Sequence, residues 1–176
     1  MAITKKVEVL PYNKDWKNAF NNEHVELLKI FGDKVIFHHI GSTSIEGLCA
    51  KPIIDILAEA EELEIYEQHT HQLEQKGYIA KGEFGIPGRR YFSKPKNGEI
   101  EDLPVHLHAF QKGSHEITRH LLFRDYLRAH PELAKQYGQV KQEAAKKFPT
   151  DIQSYMKEKD SIIKEFERKA LIWGAE

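Results

Sequence analysis

The chain has 176 residues, 26 of them Lys or Arg against 27 Asp or Glu, giving a formal charge of -1 with 40% hydrophobic and 30% charged residues. That is the composition of one soluble globular domain that buries roughly two thirds of its unfolded surface, and its near neutrality gives no general attraction for nucleic acid or anionic lipid, so an anion site must be a local cluster. A lone cysteine (Cys49), an opening MAITKKVEVL without the apolar run of a signal peptide, and no stretch of 18 apolar residues point to a reducing cytoplasm and no membrane span.

In chain order, Val7, Val9 and Pro11 predict a short edge strand, and Trp16, Phe20, Val25, Leu27, Leu28 and Phe31 recur at helical spacing behind an Asn13 cap, with Gly32 as the stop. "KVIFHHI" and "PIIDILA" are β-branched runs suited to central strands. Residues 61–76 predict one helix, acidic in its first turn and closed by Gly77. "YIAKGEF", "RRYFSK" and "LPVHLHAFQ" predict three strands in hairpin geometry, followed by helices over 115–129, 132–148 and 151–173 with Pro131 and Pro149 at their boundaries. The fold class expected is α+β, one sheet covered by helices. It forms a single domain over 1–176, with a sheet part at 1–113 and a helical part at 114–176.

The chemistry concentrates in "FHHIGSTSIEGLCAKPIIDIL". Gly41 lets backbone approach a ligand closely, the hydroxyls of Ser42, Thr43 and Ser44 follow, and Lys51 adds a cation: a phosphate cradle, or else a polar turn between strands. Asp55 sits among Ile53, Ile54, Ile56 and Leu57, where a carboxylate costs several kcal/mol unless paired or bound to metal. It is either a hard ligand for magnesium or a structural acceptor paired with Lys51. His106 and His108 share a strand face and suit a transition metal or acid-base work, the alternative being two ordinary hydrogen-bonded histidines. Arg89 and Arg90 precede Tyr91, and opposite strand faces allow one arginine to reach an anion. On the helix over 115–129, Arg124 and Asp125 form either a two-point phosphate site or an internal ion-pair network. His69 and His71 read as surface residues, and of His38 and His39 only one can face the site.

Together "HIGSTSIEGLCAKPIIDI", "GRRYF", "HLHAF" and "FRDYLRAHPELAKQY" resemble the GrpB family, also called UPF0157, and the Gly-Ser turn with an Asp about a dozen residues on resembles the nucleotidyltransferase superfamily signature. The resemblance runs from about Val9 to the last helix. It implies a nucleotidyltransferase-like α+β fold with a mixed sheet covered by helices. Active members of that superfamily hold two magnesium ions on a second acid two positions after the first and a third on a neighbouring strand, whereas this chain has Leu57 at the second position.

Three functions follow as expectations. The first is a metal- or histidine-assisted phosphoryl or nucleotidyl transferase acting on a nucleotide-like or phosphorylated small molecule. In it Gly41 and Ser42 hold phosphate, Asp55 takes Mg2+, Arg90 and Arg124 neutralise charge and His106 or His108 moves protons. The second is a binding module that kept the cleft without the chemistry. The third is a helical interaction protein.

Overall fold

In the computed structural model, which describes residues 5–98 and 102–176, five strands form one mixed sheet in the order β1-β2-β5-β4-β3. β1 (Val35–Ile40) pairs antiparallel with β2 (Ile54–Ala60), and β2 runs parallel to β5 (Val105–Gln111). β4 (Arg90–Lys94) and the two-residue β3 (Ile79–Ala80) extend the sheet antiparallel. The parallel pair requires a long crossover, supplied by α2 (Glu64–Gln68), α3 (Thr70–Gln75) and the β3-β4 hairpin. The two β-branched runs expected to be strands are neighbours in this sheet, joined by an irregular connection that starts at Gly41.

Strand alternation sorts the two faces. Ile54, Ile56, Ala58, Val105, Leu107 and Phe92 turn to one side, where they bury Trp16, Leu27 and Phe31 of α1 (Asp15–Phe31) with Tyr66 and Leu73 of α2 and α3. Asp55 and Leu57, with His106, His108 and Phe110, turn to the other. There Leu57, Ile40 and Phe110 pack against Ile117 of α4 (His115–Ala129). α5 (Pro131–Lys147) and α6 (Ile152–Trp173) join α4 through Leu127, Tyr137, Phe166 and Ala170, and this bundle captures Ile45 and Leu48 of the β1-β2 connection. The connection is therefore pinned between sheet and bundle. Burying each of these two side chains contributes about 2 kcal/mol, enough to fix its path.

Several expectations need correction. The segment around Val9 makes no strand: it has one isolated bridge, Leu10 to Ala50, and Val7 donates its N–H to the Pro149 carbonyl at 2.8 Å while its side chain packs on Ala144 and Tyr155. Pro11, lacking an N–H, cannot extend a ladder. The helix expected over 61–76 breaks at His69, whose Nδ1 bonds the Ile65 carbonyl (2.7 Å) while Thr70 Oγ1 donates to Tyr66 O (2.9 Å), so side chains compete for the helix carbonyls. His69 also packs on Phe31, with ring centroids 5.0 Å apart, and is half-buried, whereas His71 is exposed as expected. β3 is shorter than "YIAKGEF" because Gly82, Phe84 and Gly85 all adopt positive φ, which turns the chain out of the ladder. The last three helices match within a residue or so, with Pro131 in the first turn of α5 and Asp151 capping α6 through the Ser154 N–H. No helix among the described residues is long and apolar enough to cross a membrane.

Candidate anion-binding cleft

The β1-β2 connection begins at Gly41, with φ 73° and ψ -176°. A Cβ there would lie 2.7 Å from Asp55 Oδ2, so the glycine is what allows the carboxylate to rest against the backbone. Ser42–Ser44 then form one 3-10 turn. Two of the three hydroxyls are spent inside it. Ser44 Oγ donates to Gly41 O, and Thr43 Oγ1 donates to Ile53 O at 3.1 Å while its oxygen accepts from His39 Nε2 at 3.0 Å. Burial pushes His39 down to about 4, so it stays neutral in that role, stacked on Phe20 on the far face. Ser42 and Thr43 both line the cleft, and of the three hydroxyls only that of Ser42 is not spent within the turn; it faces the cleft beside Tyr137.

Arg124 and Asp125 lie behind the turn. Arg124 Nε donates to Asp125 Oδ1 (2.7 Å) and its Nη1 to His39 O (3.1 Å), while Arg128 donates through Nε and Nη2 to Ser44 O at 3.0 and 2.7 Å. These contacts form the internal network and hold the turn. The expected charge-neutralising place of Arg124 is thereby corrected, since its guanidinium is committed to the protein's own carbonyl and carboxylate. Arg90 is corrected too: alternation sends it to the opposite face from Tyr91, where it pairs with Glu67 of α2.

The parallel register sets Asp55 beside His106 and Leu57 beside His108. Asp55 Oδ1 lies 3.0 Å from His108 Nε2 and 3.6 Å from His106 Nδ1. Arg89, buried in the turn before β4, points Nη1 at His108 Nδ1 (3.3 Å). Arginine only donates, so Nδ1 accepts and the His108 proton sits on Nε2, donated to Asp55. Burial opposes ionisation of Asp55, but the His108 hydrogen bond and the neighbouring His106 and His120 override it and hold the carboxyl below its usual range. Burial depresses His106, whose imidazole is the more exposed of the pair. Tyr91 closes the other side, its ring 5.8 Å from His106 and 5.3 Å from His108.

This donor set does not fit a pair of magnesium ions. Leu57, where a second acid would stand, is fully buried in the apolar cluster with Ile40, Phe110 and Ile117, and a carboxylate there would be desolvated. Nor do the two imidazoles fit a transition metal, since both His108 nitrogens are already engaged. Among the described residues no group of three or more His, Cys, Asp or Glu is placed to hold a metal ion. Asp55 alone fits the more modest case, one magnesium carried largely by substrate phosphates and water.

The helical wall supplies what sequence reasoning missed. A cavity of about 410 Å³ opens between the Gly41–Thr43 turn with Asp55, His106 and His108 on one side and the helices on the other. Lys141 of α5 and Lys159 of α6 enter it, beside Lys51. Lys141 is only 2% exposed, and its Nζ has no hydrogen-bond partner among the described residues. Its ammonium rests 4.7 Å from the Tyr137 ring, while those of Lys159 and Lys51 stand 4.5 and 5.6 Å from the ring of Tyr155, whose buried hydroxyl is also without a partner. Desolvation, with repulsion from the neighbouring lysines, pushes Lys141 down to about 7 and Lys159 down to about 8, and burial lowers Lys51. Arg119 adds a fourth cation, paired with Glu116 and Glu167. The signal was present in the sequence: Lys141 falls on the stripe of Ala134, Tyr137 and Ala144, and Lys159 on that of Tyr155, Ile162 and Phe166, both inward helix faces.

A family model described as GrpB protein matches residues 6–169. The UPF0157 protein YqkA of Bacillus subtilis (strain 168) is 45% identical over 170 residues, covering 96% of this chain and 48% of that protein, so the chain spans about half that relative's length. The glutamate-rich protein GrpB of Alkalihalophilus pseudofirmus is 34% identical over 162 residues, covering 91% of this chain and 93% of that protein. The crystal structure of the conserved protein GrpB from Enterococcus faecalis superposes with a TM-score of 0.87 at 40% identity, over 96% of this chain and 100% of that one. Cid1 in complex with its short product ApU superposes at a TM-score of 0.53 and 18% identity, over 76% of this chain and 42% of that one, a likeness of fold. The fold is nucleotidyltransferase-like.

Proposed function

The chain belongs to the GrpB protein family, and from that membership and the cleft's geometry we propose that it binds a nucleotide-like polyphosphate and passes a phosphoryl or nucleotidyl group to an acceptor hydroxyl. The observation that carries this reading is Lys141: a desolvated ammonium without a partner is costly, and an anion bound between Lys141, Lys159 and Ser42 removes the cost. Asp55 and the two histidines stand at the chemical end of the same cavity.

In the proposed step the acceptor oxygen forms a bond to phosphorus as the bond to the leaving phosphate breaks, and His106, neutral at physiological pH, takes the acceptor's proton. Asp55 fixes the imidazoles and offsets the charge His106 gains. Lys141 and Lys159 stabilise the negative charge on the leaving phosphate. Magnesium on Asp55, when bound with substrate, would supply further charge neutralisation. A second reading, a binding module without turnover, is favoured by Leu57 occupying the place of the second acid.

Calorimetric titration with inorganic tripolyphosphate and the four common nucleoside triphosphates, with and without magnesium, followed by phosphorus NMR of the mixtures, tests the proposal. Binding with turnover supports the transferase, binding without turnover the module, and no binding removes both. Asp55→Asn should keep the fold, because the amide oxygen still accepts from His108 Nε2, and should abolish both turnover and any magnesium enhancement of binding. Persistence of turnover in that variant would show that Asp55 is structural.

Anion binding should also take up protons. Near pH 8 Lys141 is largely neutral and Lys159 about half so, and a bound phosphate raises both, drawing in about one proton per ligand. Titrations in Tris and in HEPES should therefore differ in apparent enthalpy. Identical enthalpies would mean that neither lysine meets the anion.

A further inference from the structure

The loop between β3 and β4 carries four positive φ values within seven residues: Gly82 at 60°, Phe84 at 48°, Gly85 at 87° and Gly88 at 79°. Phe84 is the one non-glycine among the described residues with positive φ, and the residue is 60% exposed. A bulky residue in that region is strained, and an exposed ring gains little from burial to offset it. Glycine would suit the backbone better. Strain of this kind calls for a purpose outside the fold.

The loop is also rigidly held. Buried Arg89 donates through Nη2 to Phe84 O (2.6 Å) and through Nε to Glu83 O (3.1 Å), and Gly88 N donates to Glu83 Oε1 (2.9 Å). This is the same arginine that bonds His108. The Phe84 ring stacks on Tyr91 with centroids 5.0 Å apart and planes inclined by 12°, and Tyr91 touches both cleft histidines. Lys81 Nζ lies 5.1 Å from the Phe84 centroid and 5.9 Å from that of Tyr91. Two such similar distances place the ammonium beside the ring pair, since a cation over the outer face of Phe84 would be far more distant from Tyr91. Phe84, 60% exposed, thus offers ring surface to solvent and is joined to the cleft histidines through Tyr91.

We propose that Phe84 is a stacking shelf for the planar base of the nucleoside part of the ligand, with Lys81 alongside; this rests on the phosphate-cleft reading above. Stacking between a base and an aromatic side chain tolerates any base, because every base has a π-face. The shelf therefore selects for a nucleoside and leaves its identity open.

The test titrates wild type, Phe84→Leu and Phe84→Trp with inorganic tripolyphosphate, ATP and UTP. Wild type should bind both nucleotides about tenfold or more tighter than tripolyphosphate. Phe84→Leu should lose that factor while its tripolyphosphate affinity stays unchanged, which also serves as the folding control. Phe84→Trp should retain it, with indole fluorescence quenched as nucleotide binds. Nucleotides that bind wild type no tighter than tripolyphosphate, or a Phe84→Leu variant that keeps the full preference or weakens all three ligands alike, would overturn the shelf and leave the phosphate cleft standing. Failure of all three ligands to bind wild type would overturn the shelf and the cleft together.

Discussion

Lys141→Met should make the unliganded protein more stable by roughly 1–4 kcal/mol while weakening tripolyphosphate binding more than tenfold. Methionine fills nearly the same volume beside Tyr137 and Ala144, and it removes an ammonium that has no hydrogen-bond partner. The pH dependence has a definite sign. Folding lowers Lys141 to about 7 from the ordinary 10.5, so between those values the unfolded chain binds a proton that the folded chain does not, and wild-type stability contributed by this group rises with pH. The advantage of the variant is therefore largest below pH 7 and shrinks toward pH 10. Urea unfolding at pH 6 and pH 9 measures both effects. A variant less stable than wild type at both pH values would mean that Lys141 makes a favourable buried interaction, and the anion site would lose its main support.

Gly41→Ala should destabilise the fold by about 2–4 kcal/mol, lowering the thermal midpoint by several degrees, and should disable the cleft. Two effects combine. The backbone at φ 73° and ψ -176° belongs to a region open almost only to glycine, and the new methyl would stand 2.7 Å from Asp55 Oδ2. Gly32 offers an internal control, with φ 60° and nothing within 4 Å of a Cβ built there. Gly32→Ala should show the backbone strain alone and cost less. Equal losses in the two variants would mean that Asp55 yields freely, and that the glycine is needed for the turn but not for the carboxylate's position.

The elements nearest the site were legible because their signals are local. β-branched runs on either side of Gly41 predict β1 and β2, period-two alternation puts His106 and His108 on one face of β5, and Pro131 and Asp151 mark where α5 and α6 begin. Alternation also told that Arg89 and Arg90 cannot serve one face. It could not tell which of them reaches the cleft, because that depends on how β4 pairs with β5.

The four blocks of sequence that resemble GrpB carried the family and the fold, and an aspartate in an apolar strand marked a site by its cost. Tertiary structure alone decided the rest. Asp55 and His108 are 53 residues apart, and only the parallel pairing of β2 with β5 makes them hydrogen-bond partners. Thr43, Ser44 and Arg124 read as ligand groups until folding supplied protein acceptors for each: the carbonyls of Ile53, Gly41 and His39, with Asp125. Lys141 and Lys159 lie on inward helix faces that the sequence displays, but a face says nothing of what it meets. Periodicity along one element is set by backbone geometry and survives in the sequence, whereas the partner of a polar group and its loss of water depend on which distant elements come together.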